Sequence, residues 1–279
     1  MIIVIFPINI TLNSLNLGSR KLNLGEGMNI SLLLLPLIDR YLEDTEREYK
    51  TLDAKPEVFA QTDRNVKSII FIGDHDLEKK KDALKLWMQR YGILQGLLDL
   101  GGIFAEVSLS QFERWNDQGK VLSENELLIR FNELNETLTN SYSALPEITK
   151  DRSFLSMTSK LLWLQYPNST PIYDQNANIA INVLWKIYKS IECSQHYEPS
   201  NGSKYTNDKM RKKVGISKSE YDQVIYADYS HKYFALFNPV SDYIENELQN
   251  FEIDLEPIRY FDRVLWMLGS RTKDAGVIN

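Results

Sequence analysis

The chain contains very little cysteine and histidine. Among its 279 residues there is one cysteine, Cys193, and there are three histidines. A single cysteine excludes an internal disulfide framework and is typical of proteins in reducing compartments, so we expect a cytoplasmic protein. So few cysteine and histidine side chains cannot build a closed zinc site. We therefore expect neither a bound metal nor any other cofactor.

Membrane segments and several widespread catalytic motifs are also missing. No stretch approaches the roughly 20 consecutive apolar residues that cross a bilayer, so we expect no membrane partner. The apolar opening MIIVIFPINI is short and has no basic segment before it, which argues against a signal peptide. The sequence has no G-x-x-x-x-G-K motif and no G-x-S-x-G motif, which excludes a P-loop ATPase and a hydrolase of the nucleophile-elbow type.

An excess of positive charge is absent as well, since the formal net charge is -6. Proteins that coat nucleic acid without sequence preference usually have a basic surface. The acidic balance therefore argues against such a coating protein, but it leaves room for an enzyme with one local basic face.

The beginning of the chain differs in composition from the rest. Residues 1–27 are rich in Asn, Leu and Ile and show no helical periodicity. Leu24-Gly25-Glu26 stands just before Met28, and its codons can spell a purine-rich ribosome-binding sequence. One hypothesis is that Met28 is the native start and that residues 1–27 are a translated leader. The alternative, which the sequence leaves open, is an N-terminal edge strand.

The middle of the chain shows both helical and strand patterns. Apolar residues recur every three or four positions within residues 31–48, which predicts a helix. Residues 76–100 combine an acidic start with an apolar stripe and are followed by Gly101-Gly102, which predicts a long helix that ends at the glycines. The β-branched, apolar run of residues 66–72 instead predicts a short strand.

The remaining pattern is helical to the end of the chain. Ser123 and Glu126 have the spacing of a capping box, which marks the start of a helix. A change in composition near residue 146 suggests two lobes, residues 28–146 and 147–279. The sequence thus predicts a mainly α, two-lobed fold with at most a few short N-terminal strands. Its further predicted helices cover residues 123–142, 154–165, 174–191 and 255–270, and residues 217–250 hold one or two helices with a split near Asn238-Pro239.

The segment from residue 152 to residue 182 carries the most specific chemical signal. Two predicted helices meet through a short loop with two prolines, and a loop of this length folds the helices back toward each other. Lys160 lies among apolar neighbours, where lost hydration lowers the pKa of a lysine and favours a nucleophilic amine. Asp174 stands at the start of the second helix and could face Lys160. The alternatives are a surface lysine and an aspartate that only caps its helix.

A pattern in this segment is similar to a known family. It combines Ser159-Lys160-Leu161-Leu162-Trp163, Pro171-Ile172-Tyr173-Asp174, Ala177 and Ala180. The pattern resembles the active-site segment of the helix–hairpin–helix DNA glycosylases, and most of all their 8-oxoguanine DNA glycosylase branch. The resemblance is confined to residues 152–182, and it implies a two-lobed helical fold that has DNA as its partner.

The resemblance also implies roles for two residues. Lys160 would be the nucleophile that forms a Schiff base with the sugar, and Asp174 would be the catalytic carboxylate. The protein would then excise an oxidised base that has flipped out of the DNA stack. The family's hairpin has glycines that hold a DNA phosphate, whereas this chain has Leu155-Ser156-Met157-Thr158-Ser159 at that place. The alternative is a non-catalytic member of the scaffold that binds nucleic acid or protein, in defence or regulation.

Aromatic and basic side chains give further candidates for DNA contacts. Trp163 and Tyr166 are candidates for stacking on a base, although such aromatic residues are more often part of the core. Residues 201–218 concentrate positive charge in an acidic chain, as expected for a segment that follows a phosphate backbone, and the alternative is a solvated loop. The sequence assigns no role to the charged motif at residues 259–269. The basic candidates are Lys204, Lys209, Arg211, Lys212 and Lys213.

Overall fold

The computed structural model is mainly helical, which confirms the predicted fold class at that level. It describes residues 3–5, 8–10, 31, 34–42, 59–94, 96–145, 152–192, 211 and 215–274. Two short strands, β1 (Ile3–Ile5) and β2 (Ile8–Ile10), pair antiparallel. Within the described ranges, no helix has both the length and the apolar character needed to span a membrane.

The described residues form a succession of α-helices. In chain order they are α1 (34–42), α2 (Phe59–Lys67), α3 (Leu77–Arg90), α4 (Gly101–Trp115), α5 (Glu124–Ser143), α6 (Leu155–Gln165), α7 (Gln175–Glu192), α8 (Lys218–Phe237), α9 (Ser241–Asn250) and α10 (Pro257–Asp274).

Local sequence signals set several of the helix ends. At the start of α5, Ser123 Oγ accepts a hydrogen bond from Glu126 N, and Glu126 accepts one from Ser123 N at 2.9 Å, which is the predicted capping box. Ser217 and Glu220 form the same arrangement at the start of α8. The break predicted after α8 is a short 3₁₀ turn, Asn238–Val240, which contains a proline that cannot continue the helical hydrogen bonding.

The strand predicted at residues 66–72 is wrong. The first two of these residues belong to α2, and Ser68–Ile72 continues the helix as a π-helical turn. Ile70 lies in the core, whereas Ile72 is 79% exposed. A short apolar run is compatible with a strand and with a helical segment, and here the contact of the segment with α3 selects the helical form.

The long helix predicted over residues 76–100 is also wrong, because α3 ends at Arg90. Gly92 and Gly96 follow with positive φ angles of 64° and 70°, which glycine reaches at little cost and which a right-handed helix does not contain. The Gly101-Gly102 pair was predicted to end the helix, but it begins α4 instead.

Contacts among the C-terminal helices determine where the site lies. α7 and α10 pack closely along each other, and Gly269 of α10 is buried between them. A Cβ atom built on Gly269 would lie only 1.8 Å from Asn176 O of α7. α8 packs against α5 and α7, and its buried tyrosines, Tyr226, Tyr229 and Tyr233, share one helix face because they are three and four residues apart.

Candidate active site

The loop between α6 and α7 is held by the buried tyrosines of α8. Tyr226 OH donates a hydrogen bond to Pro171 O at 3.0 Å, and Tyr229 OH donates one to Ile172 O at 2.8 Å. Both tyrosine side chains are fully buried, so their hydroxyls satisfy carbonyl groups that water does not reach. These two bonds fix the backbone just before Asp174.

The amide groups of the same loop are held from two other helices. Ile172 N donates to both carboxyl oxygens of Asp262 on α10, each at 3.3 Å. Tyr173 N donates to Ser159 Oγ on α6 at 3.0 Å. Because α6, α8 and α10 all bind the loop, the tertiary structure sets the position of Asp174 relative to α6.

Asp174 stands at the start of α7, where it acts as an N-cap. Its Oδ1 accepts a hydrogen bond from Asn176 N at 2.8 Å, and its carbonyl oxygen accepts one from Asn178 N at 2.8 Å. In the described part of the chain, its second carboxyl oxygen accepts no hydrogen bond. The side chain is partly exposed and lines a cleft, so capping leaves one oxygen for a second task.

Lys160 extends from α6 into a largely buried position. Its Nζ donates a hydrogen bond to Ser156 Oγ, one turn earlier, at 3.1 Å. Burial lowers the pKa of Lys160, the nearby carboxylate of Asp174 partly offsets this effect, and the charge of Arg259 lowers the pKa further. The amine is therefore neutral more often than that of an exposed lysine at the same pH, and the neutral amine is the nucleophilic form.

Lys160 and Asp174 lie in the wall between two adjoining chambers. The first chamber has a volume of about 670 Å³ and the second a volume of about 430 Å³. Tyr91, Lys160 and Asp174 line both of them. Chambers of this size suit small molecules or single nucleotides. The two residues that the sequence singles out as catalytic candidates therefore meet at the same cleft.

Aromatic and apolar side chains form about half of the lining of the first chamber, and polar and charged side chains such as Arg152 and Asp222 form the rest. Such a mixed lining suits a planar group that also carries hydrogen-bonding atoms. Its aromatic and apolar members include Tyr91, Ile93, Phe154, Met157, Tyr173 and Tyr221.

The second chamber combines charged side chains with aromatic and apolar ones. Arg90 comes from the end of α3, and Arg259, Asp262 and Arg263 come from α10. The indole of Trp266 also lines this chamber and is 48% exposed. The sequence prediction missed these residues, although their three- and four-residue spacing in an amphipathic helix indicated a charged helix face.

Aromatic side chains hold Arg259 in the wall of the second chamber. Its guanidinium carbon lies 5.0 Å from the centre of the Trp163 ring, and its Nη2 donates a hydrogen bond to Tyr91 OH at 3.2 Å. Tyr91 OH donates to Asp63 at 2.7 Å, and Asp63 also accepts from Trp87 Nε1 at 2.8 Å. This network connects α2, α3 and α10, and it restricts the orientation of the guanidinium group.

Asp262 is buried at the boundary between the loop and the second chamber. Burial raises the pKa of Asp262 to about 8, although Arg259 and the hydrogen bond from Ile172 N both oppose the shift. The carboxyl group is therefore mostly protonated and neutral at pH 7. The other acidic residue of the second chamber is Asp174.

We expect the stability of the wild type to fall relative to that of Asp262→Asn as the pH rises. Between the ordinary aspartate pKa of about 4 and the folded-state pKa of about 8, the unfolded chain loses the proton and the folded chain keeps it. The wild type therefore loses stability over this interval. Asparagine does not titrate, and it still accepts from Ile172 N.

Urea unfolding at several pH values between 5 and 7 tests this expectation. The difference between wild type and Asp262→Asn should change by roughly 1 kcal/mol per pH unit. Parallel pH profiles for the two proteins would contradict the raised pKa of Asp262.

Asp222 of α8 caps the start of α6 from another helix. Its two carboxyl oxygens accept hydrogen bonds from Ser153 Oγ at 2.7 Å and from Phe154 N at 2.8 Å. Burial raises the pKa of Asp222, and these hydrogen bonds oppose the rise. Asp222 thereby fixes the beginning of the helix that carries Lys160. The sequence prediction missed this role because the capping residue lies 68 positions after Phe154.

The two aromatic candidates for base stacking lie in the core. Trp163 is 1% exposed and Tyr166 is 0% exposed. Lys67 Nζ lies 4.2 Å from the centre of the Trp163 ring, and Tyr166 OH donates a hydrogen bond to Asp117. Neither ring has a face open to a base in this conformation, which corrects the stacking prediction. Their packing with the rest of the core is the physical reason.

The basic candidates fall mostly outside the described residues. Lys204, Lys209, Lys212 and Lys213 are among those that the structure leaves undescribed. Arg211 is described, and it is buried with its Nη1 donating a hydrogen bond to Ile216 O at 3.3 Å. Arg211 therefore does not present its guanidinium to solvent as a phosphate-binding loop residue would.

Comparisons with known proteins identify no family for this chain. No protein-family model matches the chain, no curated protein is similar to it, and no solved structure matches it. Across the ranges that the structure covers, no group of three or more His, Cys, Asp or Glu side chains could hold a metal ion. The chemistry of the cleft therefore has to be argued from its own side chains.

Proposed function

We propose that the protein is a DNA glycosylase-like enzyme that uses Lys160 to attack the sugar of a flipped nucleotide with an oxidised base. One observation carries the proposal: a lysine amine with a lowered pKa and a carboxylate that interacts with it electrostatically both line the junction of two chambers. A desolvated amine next to a proton acceptor is the arrangement that imine-forming lysines require.

The proposed reaction uses the cleft residues as nucleophile and proton carrier. The neutral Nζ of Lys160 forms a bond to C1′ of the sugar as the bond from C1′ to the base breaks. The electron pair of that bond leaves with the base, which takes a proton from solvent. Asp174 accepts the proton that Nζ loses and returns it to the ring oxygen when the sugar opens to the imine. Its negative charge also stabilises the positive charge that develops on the sugar.

The choice of DNA as substrate rests on two supports. The pattern of residues 152–182 resembles that of the helix–hairpin–helix DNA glycosylases, and it contains both cleft residues, Lys160 and Asp174. The aromatic lining of the first chamber suits a base, which has to leave the DNA stack before an enzyme can act on its glycosidic bond.

We expect borohydride to trap a covalent adduct between the protein and DNA that contains an oxidised guanine. Reduction converts the imine on Lys160 into a stable amine, so the adduct should be visible as a shifted band after denaturing electrophoresis. Lys160→Ala should abolish the adduct because it removes the only atom proposed to bond to C1′.

Lys120→Ala is the matched control, since Lys120 lies outside the cleft and pairs with Glu126 at 2.8 Å. This variant should trap as well as the wild type. An adduct that persists in Lys160→Ala would contradict the proposal. Salt-sensitive DNA binding without any adduct would favour the alternative, a non-catalytic binding protein built on the same scaffold.

A further inference from the structure

The second chamber concentrates cationic groups in a chain that is acidic overall. Arg90, Arg259 and Arg263 line it together with Lys160, whereas the formal net charge of the chain is -6. The cations come from three helices that are far apart in sequence, so the tertiary fold brings them to one place. Such convergence favours an anionic ligand.

The negative charge of the acidic residues in this chamber does not offset the positive charge of its arginines. Burial raises the pKa of Asp262 to about 8, so its carboxyl group is mostly neutral at pH 7. Asp174 is the other acidic residue of the lining. Cationic side chains therefore outnumber anionic ones in the lining of this chamber.

Arg259 provides a preorganised donor for such an anion. Its guanidinium carbon lies 5.0 Å from the centre of the Trp163 ring, and its Nη2 donates a hydrogen bond to Tyr91 OH at 3.2 Å. These two contacts hold the guanidinium group in place. In the described part of the chain, the buried Nε of Arg259 has no hydrogen-bond partner. A buried donor without a partner is costly in a folded protein.

We propose that the second chamber binds the phosphate group carried by the reacting sugar. The inference rests on the proposed function for the presence of that sugar, which would lie at Lys160 and Asp174 between the chambers. The base then occupies the aromatic first chamber and the phosphate the arginine-lined second one. At the mouth of the second chamber, the exposed ring of Trp266 offers a stacking face to the next base of a strand.

Binding of two abasic-site analogues tests this division. The probes are a tetrahydrofuran analogue with a phosphate monoester and the same analogue without phosphate, and calorimetry measures the Kd of each for the full chain. We expect phosphate to tighten binding at least about tenfold. Arg259→Gln should remove most of that gain, whereas Arg114→Gln on α4, whose side chain is 61% exposed, should leave it unchanged.

Equal Kd values for the two analogues would overturn the inference. If Arg259→Gln does not fold, Arg263→Gln replaces it in the test. A smaller improvement in Kd from the phosphate group would then support phosphate binding in the second chamber, and an unchanged improvement would refute it. An oligonucleotide with the same analogue separates two sources of phosphate. If the oligonucleotide binds and its binding depends on Arg259 or Arg263, the phosphate belongs to a nucleic-acid strand. If only the monoester binds, the phosphate belongs to a small sugar phosphate.

Neither analogue has a carbonyl group, so their binding does not require imine formation. A protein that binds the phosphorylated analogue tightly but gives no borohydride adduct would keep this inference and lose the proposed reaction. A protein that gives an adduct but binds both analogues equally well would support the proposed reaction and refute the phosphate-binding chamber.

Discussion

Gly269→Ala is expected to destabilise the protein by about 3 kcal/mol. The added Cβ would lie 1.8 Å from Asn176 O, far inside van der Waals contact, so α7 and α10 would have to move apart. Backbone atoms of another helix cannot rotate away as a flexible side chain can. Elsewhere in a helix the same change usually stabilises by roughly 0.5 to 1 kcal/mol, so the sign of the effect is diagnostic.

Gly102→Ala on α4 is the matched control. A Cβ atom there meets nothing within 4 Å, and the residue lies in the first turn of its helix. This variant should be as stable as the wild type or slightly more stable. Urea unfolding gives both free energies of unfolding. Equal stability of the two variants would show that α7 and α10 do not approach as closely as the structure places them.

Gly269→Ala should also disturb the site, because both helices contribute side chains to the second chamber. Ala177 of α7 faces the chamber together with Arg259 and Arg263 of α10. Asp174 begins α7, so a displaced α7 would carry its carboxylate away from Lys160. We therefore expect less trapped adduct even at temperatures where the variant is still folded.

Asp174→Asn is expected to slow imine formation at least about a hundredfold. The amide cannot accept the proton that Lys160 loses, and it carries no charge to stabilise the developing positive charge. Removing the carboxylate also removes the influence that raises the pKa of Lys160, so the neutral amine becomes more abundant. A slower reaction would then arise from the missing proton acceptor and not from a scarcer nucleophile.

Asparagine is the informative replacement because it caps helices about as well as aspartate. The hydrogen bond from Asn176 N to the side chain can therefore persist, and the free energy of unfolding should change little. Asp174→Ala should lose both functions and about 1 kcal/mol of stability. Single-turnover trapping measures the rates. A wild-type rate in Asp174→Asn would mean that Asp174 only caps α7.

The parts of the fold that the sequence predicts well are set by local interactions. The predicted capping box at Ser123 depends on residues three positions apart, so its pattern is visible in a short window. The α6–α7 pair was predicted for the same reason, since its loop is short and contains two prolines. A loop of this kind also brings Lys160 and Asp174 to one cleft.

The parts that the sequence misses depend on contacts between distant residues. The segment at residues 66–72 has an ambiguous local pattern, and its packing against neighbouring helices favours the helical form. Tyr91 and Arg259 are 168 positions apart, and Asp262 binds a loop amide 90 positions earlier. A single sequence contains no local signal for such pairs, so the second chamber could not be predicted.

The central claim is that the cleft holds a lysine whose amine is neutral more often than usual and interacts electrostatically with Asp174. NMR titration of the Lys160 side-chain resonances, assigned by their loss in Lys160→Met, measures its pKa directly. We expect a value clearly below the 10.4 or so of an ordinary lysine, and a still lower value in Asp174→Asn because the opposing carboxylate charge is removed. A pKa of about 10.4 or higher in the wild type would contradict the account.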